Sequence, residues 1–156
     1  TARSHSATLL RGVSVCDRRR NALEHSSLIL MIQGTGFDLA ALPRIRTLLE
    51  RYGERFLRRL LTEKERSGLP VSTSGRTAYV AGRFAAKEAA VKALGTGFSQ
   101  GIGMHDVEIL TLSSGEPVLF LHGEAAARAT SLGVRTTHVS ISHERDMAGA
   151  VVILES

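Results

Sequence analysis

Aromatic side chains make up only 4% of the chain and tryptophan is absent. A protein that binds single-stranded nucleic acid by stacking needs aromatic platforms, and few are available. Cys16 is the single cysteine. That excludes an internal disulfide framework and a cysteine-built metal site, and it fits a reducing, cytoplasmic setting. No apolar run approaches the roughly 18 residues that would span a bilayer, so no membrane partner is expected. Proline occurs three times, at Pro43, Pro70 and Pro117, each where helices or strands begin or end.

What remains is enough for one domain. With 156 residues, 43% of them apolar, the chain can bury an aliphatic, alanine-rich core. The net charge of +5 is unevenly placed, because Arg3, Arg11, Arg18, Arg19 and Arg20 face only Asp17 and Glu24 in the first 30 residues. A mildly basic body suits an anionic ligand or an acidic protein partner. A basic nucleic-acid-binding module is the alternative reading; scarce aromatics, no recognisable binding motif and charge gathered in a tail speak against it.

Residues 1–30 read as a leader or N-terminal extension, loosely like an organellar transit peptide but without a clear amphipathic helix. Met31 is an alternative start, and the leader is expected to be disordered or peripheral. Residues 31–156 form the domain.

Its centre is the stretch Gly82 to Gly95, rich in Ala, Lys, Glu and Leu. The composition predicts a helix, with Gly95 as a left-handed cap. Phe84, Glu88 and Lys92 share one stripe, and the alanines around them leave slim faces for neighbours to approach. A Glu-x-x-x-Lys pair also occurs on solvated helices, where it contributes about 0.2–0.5 kcal/mol. A glycine-rich loop, Thr96 to Gly103, follows.

Leu28 to Ile32 predicts a buried strand running through Gly34-Thr35-Gly36-Phe37 and ending near Asp38. Alternating glycines weaken a strand unless a backbone or a ligand must come close, although an ordinary turn with a capping Asp has a similar pattern. Pro43 starts a helix that Gly53 interrupts, and Thr62-Glu63-Lys64-Glu65 has capping-box spacing. The central helix is expected from near Arg76. Arg44, Arg46, Arg51, Arg55, Arg58 and Arg59 make residues 43–61 basic, a solvated face or, as a group, a dock for an acidic helix. A hairpin about Gly115-Glu116-Pro117, a helix over residues 123–131, and two strands joined by Glu144-Arg145-Asp146 complete an α+β pattern. His138 and His143 lack the companions of a zinc site.

Asp38 and Glu88 are hard oxygen ligands of the kind Mg²⁺ uses when water and phosphate complete its octahedron. With Arg83, Lys87 and Lys92 nearby and a glycine loop able to aim N–H groups at phosphate, they are the ingredients for displacement at phosphorus.

Gly34-Thr35-Gly36-Phe37-Asp38-Leu39 and Arg83 to Gly97 resemble the two motifs of the small bacterial-type 4′-phosphopantetheinyl transferases, the holo-[acyl-carrier-protein] synthases. Leu42-Pro43-Arg44-Ile45, Gly115-Glu116-Pro117 and His138 to His143 extend the likeness across residues 31–156. Phe37 departs from the smaller or aliphatic residue usual there, implying a local packing change. The resemblance implies a 4′-phosphopantetheinyl transferase-like α+β fold, a mostly antiparallel sheet on a long central helix. It also implies a homotrimer with active sites in the clefts between subunits. The implied reaction carries 4′-phosphopantetheine from coenzyme A to a serine of apo-acyl carrier protein with Mg²⁺, releasing adenosine 3′,5′-bisphosphate. Asp38 and Glu88 match the metal ligands, with Glu88 and Lys92 catalytic. Arg83, Lys87, Lys92, Gly95, Gly115, Pro117 and His138 match coenzyme A positions, and Arg44 and Arg55 the region that meets the carrier protein.

Overall fold

The protein is described by a computed structural model over residues 31–156; the expectations for residues 1–30 lie outside the described residues. At its centre is helix α3, Thr73–Ala93. It starts three residues before Arg76 because Ser72 caps it, its hydroxyl accepting the Gly75 N–H at 3.2 Å. At the other end Gly95, at φ +72°, turns the chain left-handed. The Thr96 N–H then donates to Val91 O at 3.1 Å and the Gly95 N–H to Lys92 O at 3.0 Å, so the last carbonyls find partners.

Strand β1, Ile32–Ala41, lies on α3 and pairs antiparallel with β5, Met147–Glu155. On its other edge β5 pairs antiparallel with β4, Thr136–Glu144, through the turn at Arg145 and Asp146. The hairpin β2, Val107–Thr111, and β3, Pro117–Leu121, forms a separate two-stranded sheet. The α+β expectation holds, with the antiparallel strands divided into two sheets rather than one.

Helix α1, Leu42–Leu60, bends at Gly53, whose φ of +48° and ψ of −128° only glycine adopts readily. The short α2, Glu63–Ser67, begins with the expected box: Thr62 Oγ1 accepts from the Glu65 N–H, and the Glu65 carboxylate accepts from the Thr62 N–H at 2.7 Å. Helix α4, Gly123–Ser131, closes the molecule.

One expectation is corrected. β1 does not end near Asp38 but continues to Ala41, so Asp38 stands inside the strand. The glycines before it serve close approach and not a turn. A Cβ on Gly36 would lie 1.8 Å from Ala89 O, and one on Gly34 would lie 2.0 Å from Ala93 O. Bare glycine backbone lets β1 lie directly on α3, and this brings the two motifs together.

Candidate active site

Between Val80 and Leu94 every residue of α3 is buried except Phe84, Glu88 and Lys92. The stripe expected from the sequence is therefore the line along which this half of the helix reaches the surface. Beside it, Gly36, Asp38 and Ala40 turn toward the helix while Phe37 and Leu39 turn away.

Lys92 joins the strand to the helix. Its Nζ donates to Asp38 Oδ1 at 2.7 Å and to Phe37 O at 3.2 Å. Burial, then the charge of Asp38, raises the Glu88 carboxyl above its ordinary 4.5, with Lys92 opposing. Its bond to Asp38 holds the Lys92 ammonium more firmly protonated. One carboxylate thus bonds the ammonium while the other lies within reach of its charge and of the Asp38 charge, an arrangement that a dication would relieve. Among the described residues no third His, Cys, Asp or Glu joins them. Two protein oxygens suit Mg²⁺, which keeps its remaining positions for water and phosphate.

The structure does not bring the other candidates there. Lys87 is wholly buried on another face of α3. Its Nζ is used by Glu65 Oε2 at 2.9 Å, Met104 O at 2.7 Å and Val107 O at 2.5 Å. All three protons of this ammonium are engaged inside the protein, so the structure shows Lys87, expected at coenzyme A, in internal contacts. Arg83 is also buried. Its guanidinium stacks 3.7 Å from the Tyr79 ring centroid and donates to Thr111 Oγ1, while its Nε has no partner among the described residues. Burial lowers its pKa, though it stays charged. Beside it opens a 290 Å³ pocket lined by Lys64, Ser67, Tyr79 and Thr111. Gly95 begins the glycine loop, Gly115 and Pro117 stand at the hairpin turn, and exposed His138 pairs with Glu155 at 2.7 Å. No hydrogen bond or ion pair among the described residues links these last three to Asp38, Glu88 or Lys92.

Arg44 and Arg55 are exposed on α1, and among the described residues neither is in an ion pair. Arg55 borders a 340 Å³ groove with Leu48, Tyr52, Phe56 and Arg59. The part of the arrangement that sequence reasoning missed is Glu65. Its capping-box spacing was visible, but its second task, holding Lys87, depends on α2 and β2 meeting α3.

Comparisons with known proteins agree with this fold. Residues 34–152 match the profile of the 4′-phosphopantetheinyl transferase superfamily. A holo-[acyl-carrier-protein] synthase of Solidesulfovibrio magneticus is 57% identical over 125 residues, covering 80% of this chain and 99% of that protein. The crystal structure of holo-[acyl-carrier-protein] synthase from Neisseria meningitidis superposes with a TM-score of 0.72 at 35% identity, covering 81% of this chain and all of the other. A Bacillus anthracis holo-(acyl-carrier-protein) synthase, solved in complex with CoA (3′,5′-ADP), gives 0.64 at 40% identity, covering 81% and 98% of the two chains. With the strand aspartate, the helix glutamate and the lysine between them, these likenesses show that the chain belongs to the 4′-phosphopantetheinyl transferase superfamily, and that it is an enzyme of phosphopantetheinyl transfer.

Proposed function

We propose that the protein moves 4′-phosphopantetheine from coenzyme A onto a serine hydroxyl of apo-acyl carrier protein in the cytoplasm, with Mg²⁺ held by Asp38 and Glu88. The observation that carries this reading is the convergence of Asp38, Glu88 and Lys92 where α3 surfaces beside β1. A magnesium ion bound there would neutralise diphosphate charge and make the phosphorus easier to attack. Glu88, directly or through a bound water, takes the serine proton. The serine oxygen forms a bond to the β-phosphorus and the diphosphate P–O bond breaks. Adenosine 3′,5′-bisphosphate leaves with the former bridging oxygen, steadied or protonated by Lys92. Arg83, buried beside the 290 Å³ pocket without a carboxylate within 4.0 Å among the described residues, suits another anionic group of the same ligand.

Gly115, Pro117 and His138 serve this ligand only from a second copy of the chain in this reading. The sheet face turned away from α3 suits such a neighbour. Phe37, Leu39, Met147 and Val151 are exposed on it around a 340 Å³ groove, an apolar patch that a homotrimer would cover. The Phe37 ring, the departure from the usual residue, lies over Gly149 on this face.

Mass spectrometry of apo-acyl carrier protein after incubation with the protein, coenzyme A and Mg²⁺ tests the reading: the added prosthetic arm is expected, and an unchanged carrier mass contradicts it. Lys92→Ala is expected to lower turnover more than coenzyme A affinity, read by steady-state kinetics beside calorimetry. A defect confined to affinity removes Lys92 from the chemistry. Charge reversal at Arg44 and Arg55 together is expected to raise KM for carrier protein about 10-fold or more at low salt and to weaken its salt dependence, with coenzyme A binding unchanged. An unchanged KM removes that face of α1 from docking.

A further inference from the structure

We propose that the buried Lys87–Glu65 pair is the positioning element of the transfer site, fixing the rotation of α3 and the return of the glycine loop so that Glu88 meets Asp38. The inference rests on the role proposed for Glu88.

Lys87 precedes Glu88 and is the one long side chain among the buried residues from Ala85 to Val91; the others are alanines and a terminal valine. A helix surfaced with alanine has low ridges, so its neighbours resist rotation or sliding weakly. A saturated ammonium does not. The three protons of Lys87 go to three segments: Glu65 on α2, Met104 O in the 3-10 turn that ends the glycine loop, and Val107 O at the start of β2. Glu65 is equally engaged. Oε2 also accepts the Thr62 N–H at 2.7 Å, and Oε1 accepts the Ile109 N–H at 2.9 Å. Only one rotation of α3 satisfies these bonds together. The same bonds tie the far end of the loop, which leaves the helix end at Gly95, back to α3 at Lys87, beside Glu88. A buried ion pair is commonly no more stabilising than apolar side chains of the same volume. Saturation of both charges across four segments therefore points to geometry as its contribution.

The test compares Lys87→Met, Glu65→Gln and the double variant in the full chain, by thermal melting, calorimetric coenzyme A binding and transfer kinetics. Lys87→Met leaves Glu65 as an unpaired buried charge and is expected to lower Tm; adding Glu65→Gln removes that charge and is expected to recover most of the loss. Turnover is expected to stay about 10- to 100-fold below wild type in the double variant, with KM for coenzyme A within about 3-fold. Glu65→Gln alone is expected to show a smaller kcat loss at unchanged KM. Recovery of kcat in step with Tm, or a set in which no variant folds, assigns the pair to stability and overturns the proposal. A wild-type protein without transfer activity contradicts the proposed function itself, a different result from active wild type with unaffected variants.

Discussion

Replacing Glu88 with Gln is expected to lower the transfer rate about 10²- to 10⁴-fold, the range for loss of a positioned general base, without loosening the fold. Gln keeps the size of the side chain but neither takes the serine proton nor gives Mg²⁺ a charged oxygen. The electrostatics make the stability side of this result specific. Burial and Asp38 raise the Glu88 carboxyl above 4.5, so the folded chain holds this proton more tightly than the unfolded chain. That advantage is full below the ordinary value and is lost as pH rises through the raised one. Metal-free wild type is therefore expected to lose stability with rising pH across that window, and Glu88→Gln to melt at the same temperature or higher above it. Thermal melts at acid and at neutral pH, beside single-turnover transfer at saturating Mg²⁺, check both parts. Near-normal transfer by Glu88→Gln would sink the role assigned to this residue.

Gly36→Ala is expected to damage fold and activity together. The added methyl would lie 1.8 Å from Ala89 O and 2.8 Å from Ala93 N, both backbone atoms of the helix that no rotamer change can move aside. Overpacking of a core typically destabilises by about 1–3 kcal/mol, and a rigid backbone on the opposing side puts this substitution at about 3 kcal/mol or more. The helix and strand must separate, and with them Lys92, Glu88 and Asp38. The molecules that still fold are expected to lose about 10²-fold in turnover, as misplacement by about 1 Å can. Urea unfolding and turnover per folded molecule measure the two losses. Gly103→Ala is the control: its nearest atom, Asp106 Oδ2, is 3.7 Å from the added carbon, and a small effect is expected. A Gly36→Ala protein as stable and active as this control would show that the close approach of β1 to α3 does not set the site.

Local pattern made much of this legible. The Phe84-Glu88-Lys92 stripe, the Gly95 cap, the Thr62–Glu65 box and the hairpin each depend on residues a few positions apart, and each stands in the structure as expected. The apolar run alone puts the strand end near Asp38, and Gly34 and Gly36 signal only that a backbone or a ligand comes close; which backbone depends on Ala89 and Ala93, more than fifty residues away. Arg83, Lys87 and Lys92 carry the same charge on successive turns, and their own spacing does not show which one faces the surface. What separates them is β1 on one side of α3, with α2 and β2 on another. Lys92 consequently meets Asp38, and Lys87 meets Glu65. Contacts between distant segments leave little trace in periodicity.

The most direct measurement is a calorimetric titration of Mg²⁺ into coenzyme A-bound protein, in wild type, Asp38→Asn and Glu88→Gln. One ion per site is expected in wild type, with affinity falling about 10-fold or more in each variant. Both variants binding the ion with the stoichiometry and affinity of wild type would contradict a cation shared between strand and helix.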